Sequence, residues 1–352
     1  MYDLPKVSFI LPVLNEERSL PVCLESIRQQ DYPQNKVEIV VADGGSTDNT
    51  RKICNQYDCV VLDNPRVRAE YGHELAFKRA QGEILFIFAA DNSLPQKSWI
   101  RLMVKPFIDD ETIFGTYTHI EPAIWDNSFN RYYSLLHVEP FTWFVFGNTV
   151  QPKLFHKEYK IKEKKDGYIV YDFPLKKYPL IAWAQGFGLR RNFKRKAETF
   201  GDDILPFIQM VEDGCKVAYV PGAGIHHHHL TGFKSYLKKY QWRVRNSLYQ
   251  KDIGFDNRAK YLSFLRKVRK YLWLIYGCTF IGPIIDSLRW YIKDREKCWF
   301  WHIPASVGLS YLIIYELTRQ KFCNLLNLFN KGKGGRFDKC KKDIHEYAYR
   351  IR

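Results

Sequence analysis

Val7-Ser8-Phe9-Ile10-Leu11-Pro12-Val13-Leu14-Asn15-Glu16-Glu17 and Val37-Glu38-Ile39-Val40-Val41-Ala42-Asp43-Gly44-Gly45-Ser46-Thr47-Asp48-Asn49-Thr50 decide the fold. Val7–Val13 and Val37–Ala42 are short apolar runs rich in β-branched residues, the pattern of parallel strands buried on both faces. Between them Leu20, Cys23, Leu24 and Ile27 recur at helical spacing. A strand–helix–strand unit therefore opens the chain. Each run ends in a polar cluster, Asn15-Glu16-Glu17 after the first and Asp43-Gly44-Gly45-Ser46 after the second. Open α/β sheets bind ligands beyond the carboxyl ends of their strands, so these clusters mark the expected site.

Further along, Gly82–Phe88 reads as a third buried strand running into Ala89-Ala90-Asp91-Asn92. Leu94-Pro95 then starts a helix holding Trp99, Leu102, Met103 and Phe107. Residues 116–180 are aromatic with little periodicity and read as substrate-shaping loops, within which Lys157–Asp166 reads as a solvated charged turn. Lys216–Val220 is a strand stopped by Pro221.

The 352 residues are enough for one large domain or two. A formal charge of +16 calls for an anionic partner, whether nucleic acid, an acidic membrane or a phosphorylated substrate. Aromatics make up 16% of the chain, but it carries no RNA- or DNA-binding signature. Eight scattered cysteines with no C-x-x-C spacing argue against zinc and for free thiols in a reducing compartment. No basic-then-apolar segment opens the chain.

Composition shifts at about Ser247–Arg258, which divides a domain over 1–250 from a helical region over 251–352. In the latter, Arg266, Lys267, Arg269 and Lys270 precede an apolar stretch, 271–285. A second, 298–317, follows a loop carrying Arg289, Lys293, Arg295 and Lys297. A membrane-spanning helix needs about 20 mostly apolar residues, and a translocated loop is poor in Lys and Arg. We read a hairpin lying in the cytoplasmic leaflet, with two short spans or two buried soluble helices as alternatives. Lys331–Arg352 reads as a basic tail against acidic headgroups.

The opening unit, Ala90-Asp91-Asn92, Gly201-Asp202-Asp203 and the Lys216–Pro221 strand together resemble the inverting nucleotide-sugar glycosyltransferases of family 2. The resemblance covers roughly residues 5–250. It implies an α/β, A-type glycosyltransferase domain with a mostly parallel central sheet. The carboxyl-terminal stretch resembles the membrane-associated tail of some bacterial and archaeal members.

By that resemblance Pro12, Val13, Asn15 or Glu16, Asp43 and Gly44 hold the nucleoside, with Asp43 reading the base. Arg66 could meet base or diphosphate, or be solvated. The family's Asp-x-Asp metal motif falls on Ala89-Ala90-Asp91, so its first carboxylate is missing. Asp91 remains to hold Mn²⁺ or Mg²⁺, which accepts few protein oxygens when phosphate and water fill its shell.

In an inverting transfer one carboxylate takes the acceptor proton. Asp203 has the register of that base, eleven residues before Gly214, with Asp213 as a rival. Gly186, Arg190 and Asp202 fall on the acceptor side. His227 or His228 could approach the metal, since strand alternation sends His226 and His228 one way and His227 the other. Arg243, in the basic aromatic segment Lys238–Arg245, could close over the diphosphate or face lipid.

The expectation is transfer from a UDP-sugar, or less readily a GDP-sugar, to a lipid-linked polyprenyl-phosphate or -diphosphate glycan, in cell-envelope glycan synthesis. Two alternatives share the fold. One is a polyprenyl-phosphate monosaccharide synthase, which needs no strong base. The other is a non-catalytic sugar-nucleotide-binding relative, suggested by Ala89.

Overall fold

The computed structural model describes residues 3–199, 202–228, 232–249, 261 and 263–329. It forms two compact units. One comprises Met1–Asp126, Ser134–Val138 and Phe146–His229; the other comprises Asn127–Tyr133, Glu139–Val145 and Leu230–Arg352. No single cut in the sequence makes this division.

The first unit is built on β1 (Val7–Val13), β2 (Val37–Asp43), β3 (Val60–Asp63), β4 (Ile84–Phe88), β5 (Asn92–Ser93), β6 (Ile113–Tyr117), β7 (Ile120–Glu121), β8 (Lys160–Lys165), β9 (Tyr168–Asp172), β10 (Gln185–Arg190), β11 (Lys216–Tyr219) and β12 (Ile225–His227). Among the described residues the main sheet has nine strands, ordered β3-β2-β1-β4-β10-β6-β11-β9-β8, and a small sheet is ordered β5-β12-β7. In the main sheet only β10 and β9 run against the rest. The expected parallel opening is present as read: β1 pairs β2 from Val7↔Val37 to Val13↔Asp43.

The apolar runs do the packing. Phe9, Phe86 and Phe88 meet Trp99 on α4 (Trp99–Asp109) with ring centroids 5.0–6.2 Å apart. These side chains are essentially fully buried, each worth several kcal/mol if truncated. Helix α3 (Ala69–Arg79) lies close over the strand tips because residue 72 is glycine. A Cβ there would stand 2.8 Å from that of Pro12.

The 116–180 region is more ordered than its composition suggests. It contains β7, β8, β9 and helices at Ser128–Leu136 and Pro140–Phe146. The expected charged turn is in fact β8, an edge strand of four lysines with Ile161 and Glu163, exposed at every position but Glu163. Edge strands are often charged in this way to block pairing with other chains.

The second unit holds helices Phe233–Tyr249, Phe264–Cys278, Ile281–Asp294 and His302–Phe329. The apolar stretch 271–285 is not one segment: it breaks at Thr279-Phe280, where two helices meet at 88°. Among the described residues no single helix is long and apolar enough to cross a membrane, although this bent pair has the length and composition together. Its exposed apolar residues recur at helical spacing: Phe264, Val268, Tyr271, Leu272 and Ile275, then Ile281, Ile284, Ile285, Leu288 and Ile292. Glu316, inside the second apolar stretch, is buried and paired with Arg245 at 2.8 Å. The tail 331–352 lies outside the described residues.

Candidate functional site

The registers place several of the expected site residues along one edge of the main sheet. Val13, Asp43 and Asp63 end β1, β2 and β3 side by side. Asp91 follows β4, the other neighbour of β1. Asp43 and the β4 end are therefore two strand spacings apart, roughly 10 Å. Because β10 is antiparallel, its first residues join this edge: Gln185 pairs with Phe88 and Arg190 with Ile84.

The loops after β1 and β2 are fastened to each other. Asn15, at φ 54°, receives Thr47 N on its Oδ1 at 2.8 Å and donates its own N–H to Ser46 Oγ at 2.9 Å. Glu16 N donates to Thr50 Oγ1, and Glu17 binds both Asp48 and Asn49. Gly44 N donates to Val13 O at 2.9 Å. Asp43 is buried, accepting from Ser46 N and Oγ on one oxygen and from Arg51 on the other, while Arg51 also bridges to Asp63. The Asp43 carboxylate thus shapes the loop from within. Arg66 lies over the Tyr71 ring at 4.3 Å. Thr50 and Arg51 escaped the sequence reading because Thr50 meets Glu16 on another loop and Arg51 meets two strand ends.

Across the edge, the small sheet carries Asp91 and the histidines. Pairing of β12 with β5 sets His227 opposite Asn92 and His226 opposite Ser93. His227 Nδ1 stands 2.6 Å from Asn92 Oδ1 and 3.6 Å from Asp91 Oδ1. His228 instead bonds Ser93 Oγ at 2.9 Å, lies 3.6 Å from Asp126 and stacks under Trp125. The alternation of the strand thus separates the two candidates and puts His227 with Asp91. Among the described residues no three His, Cys, Asp or Glu side chains converge as a metal cage. Asp91 with His227 is a two-donor set, which suits a divalent ion whose other ligands are phosphate oxygens and water.

Asp203 joins this region through the segment ahead of β10. Trp183 N donates to Asp203 O at 2.8 Å, and the next residue, Ala184, accepts from Asn92 Nδ2 at 2.8 Å. Asp203 also lines a cavity with Glu70, His73, Trp183, Arg195 and Asp202. Burial pushes the Glu70 carboxyl up, with the Asp203 charge adding to it, and pushes the His73 imidazole down to about 4. Arg195 holds the loop before Asp203, binding Glu74 at 2.6 Å, Thr199 O at 2.6 Å and Asp202 O at 3.1 Å. The spacing of Glu70, His73, Glu74 and Phe77 on one face of α3 is the signal that would have found this wall.

Three acceptor-side expectations take a different form. Asp202 is buried, and its carboxylate accepts from Ile204 N and Leu205 N, capping α7 (Leu205–Glu212). Gly186 is a bulge residue at φ 79° whose Cβ position is 3.2 Å from Phe88 and Trp99, so packing explains the glycine. Arg190 is at the opposite end of β10, donating to the carbonyls of Ile113, Phe107 and Asp110, and is set aside as an acceptor residue. The rival base Asp213 follows the far end of α7 and pairs with Lys196 at 2.7 Å. Arg243 belongs to the second unit, where it donates to Tyr240 Oη at 3.1 Å.

Residues 8–172 match the family model described as Glycosyl transferase family 2. Glycosyltransferase AglE of Haloferax volcanii is 30% identical over 119 residues, 32% of this chain and 37% of that protein. A Methanococcus voltae enzyme is 30% identical over 108 residues, 29% of this chain and 33% of that protein. It is named dolichyl N-acetyl-alpha-D-glucosaminyl phosphate 3-beta-D-2,3-diacetamido-2,3-dideoxy-beta-D-glucuronosyltransferase. Each match spans about a third of the relative's length. Among solved structures, the mannosyltransferase PcManGT of Pyrobaculum calidifontis, in complex with GDP-Man and Mn²⁺, is similar in fold. Its TM-score is 0.51 at 15% identity, over 89% of this chain and 88% of that one.

Proposed function

We propose, on the premise that residues 8–172 belong to glycosyl transferase family 2, that this chain transfers a sugar from a nucleotide-sugar to a hydroxyl of a lipid-linked glycan with inversion. The observation that supports the reading is the segment Trp183-Ala184, which binds the Asp203 main-chain carbonyl at one residue and the Asn92 side chain at the next, so that the segment carrying the candidate base and the one carrying Asp91 share an anchor.

The β1 and β2 loops, from Pro12 to Glu16 and from Asp43 to Thr50, form the nucleoside end. A UDP-sugar is favoured, with a GDP-sugar second. Asp91 and His227 would hold Mn²⁺ or Mg²⁺, which when bound supplies positive charge to the departing diphosphate. Asp203 takes the proton of the acceptor hydroxyl as its oxygen bonds to the anomeric carbon and the bond to the diphosphate breaks on the opposite face. Arg195 keeps the Asp203 segment against Trp183 and α3.

We place the acceptor at a membrane surface. The exposed apolar face of the bent helix pair is flanked by Lys267, Lys270, Arg289 and Lys293, which suits an anionic leaflet. The six free thiols among the described residues fit a cytoplasmic leaflet. Sedimentation with phosphatidylglycerol vesicles but not with pure phosphatidylcholine is expected, and Ile284→Asp with Leu288→Asp should release the protein. Equal partition of wild type and variant would remove the membrane from the proposal.

The test of the chemistry is a donor panel scored with and without Mn²⁺ on wild type and Asp203→Asn. Loss of transfer by 10²–10⁴-fold with nucleotide binding retained is expected. A near-neutral variant would favour direct attack by an acceptor phosphate, which needs no strong base.

A further inference from the structure

Asn92 is buried to within 1% of its surface, yet it is a polar residue one position after Asp91 and takes no part in the chemistry proposed above. Its two amide atoms are committed in different directions. Nδ2 donates to Ala184 O at 2.8 Å, and Oδ1 faces His227 Nδ1 at 2.6 Å. A carbonyl oxygen can only accept, so turning the amide over would set two acceptors against each other at Ala184. The main chain before β10 therefore fixes which amide atom points at the imidazole. An amide oxygen 2.6 Å from Nδ1 requires a proton on that nitrogen, and the other acceptor near it, Asp91 Oδ1 at 3.6 Å, stands beyond hydrogen-bond distance and leaves Asn92 as the partner that fixes it. In the neutral ring the lone pair then lies on Nε2.

We propose that Asn92 is a positioning residue that holds His227 in the Nδ1–H tautomer and so presents Nε2 as the metal-binding nitrogen. This deepens the metal reading of Asp91 and His227 and rests on it. The chain of contact is Ala184 O to Asn92 amide to His227 imidazole, with β5 and β12 pairing these last two residues through the backbone. The same Ala184 adjoins Trp183, whose N–H holds Asp203. One stretch of backbone thereby sets both the orientation of a ligand and the place of the base. Partners of this kind fix ring orientation in metal sites, and losing one typically costs 10–100-fold in metal affinity.

The experiment reads the tautomer directly. Long-range ¹H–¹⁵N correlation spectra of metal-free, ¹⁵N-histidine-labelled protein, with His227→Gln to identify the signal, should show His227 protonated at Nδ1. Asn92→Ala should scramble the tautomer and weaken Mn²⁺ binding in the presence of UDP by 10–100-fold. Asn92→Asp loses the donor to Ala184 O but still offers an acceptor to Nδ1–H, so it should keep the tautomer, and a thermal melt of each variant separates orientation from simple loss of folding. An Nε2–H tautomer in wild type, or an unchanged tautomer in folded Asn92→Ala, overturns the inference. Failure of wild type to bind Mn²⁺ with or without UDP would instead reject the metal reading, while the tautomer spectra would still decide the role of Asn92.

Discussion

Strands β3, β2, β1 and β4 meet their parallel neighbours over unbroken registers, whereas β10 against β4, β11 against β6 and β8 against β9 all pair through register shifts. The regular flank carries the loops after β1 and β2 and Asp91. The shifted flank and its connections carry Trp183, Ala184 and Asp203. The difference teaches how one sheet can join a regular flank to an irregular one. Parallel strands joined by short crossover helices are fixed locally, with β1, β2 and β4 buried on both faces. The mixed flank is fixed by contacts between distant segments, so bulges and glycines can re-aim its loops.

If both flanks share one core, cutting their common anchor should damage both. Trp99 packs on Phe9, Phe86 and Phe88 of the regular flank, and its Nε1 donates to Ala223 O, two residues before β12. Trp99→Ala should cost about 3–5 kcal/mol. Denaturant unfolding should stay a single transition for the first unit. Loss of protection in hydrogen exchange confined to β1 and β4 would show instead that the flanks unfold separately.

A smaller effect separates the flanks by pH. His73, on the α3 face toward β4, has an imidazole pushed by burial down to about 4, with Nε2 against Phe88 O at 3.3 Å. The unfolded chain binds this proton near pH 6.5 and the folded one does not. Stability is therefore lost as pH falls from about 6.5 to about 4, at no more than about 1.4 kcal/mol per pH unit. His73→Gln keeps a donor to Phe88 O without the titration. It should flatten the stability curve in that window, and an unchanged slope would refute the assignment.

Reading the sequence recovered the regular flank almost whole because apolar β-branched runs leave few alternatives. It placed Asp43 and Asp91 at strand tips for the same reason. The shifted flank was less legible. Lys160–Lys165 has no apolar alternation, since an edge strand needs none, and Arg190 looked like a site residue until the reversed direction of β10 carried it to the opposite edge. Asp202 and Asp203 were indistinguishable by type. Only the N–H groups of Ile204 and Leu205 identify the first as the cap.

On the shifted flank Asp110 accepts from Thr112 and from Lys216 at 2.9 Å, which hold its carboxyl down at about 2. Its folded value lies below the unfolded one, so its contribution is present above about pH 4 and fades as pH falls toward 2. The group is near the surface, so Asp110→Asn should cost only about 0.2–1 kcal/mol at neutral pH. The variant and wild type should converge in stability near pH 2. With His73→Gln, the two windows separate the flanks: one acts above pH 4 and the other below.

The smallest expected change in stability is at β8, where the comparison concerns the outer edge rather than the core. Lys162 sits at the register shift between Ile161 and Glu163, and Lys164 pairs with Ile169 of β9. Both lysines are exposed. A bulge and a row of charges are two independent ways of keeping a terminal strand from templating another chain. Lys162→Val with Lys164→Val raises strand propensity and removes two like charges, so the monomer's stability should move by no more than about 0.5 kcal/mol. Self-association should nevertheless rise steeply with concentration, measured by sedimentation velocity at matched ionic strength. If the double variant stays as dispersed as wild type, the bulge alone guards this edge. Restoring the lysines one at a time would otherwise show whether position 162 or 164 supplies the protection.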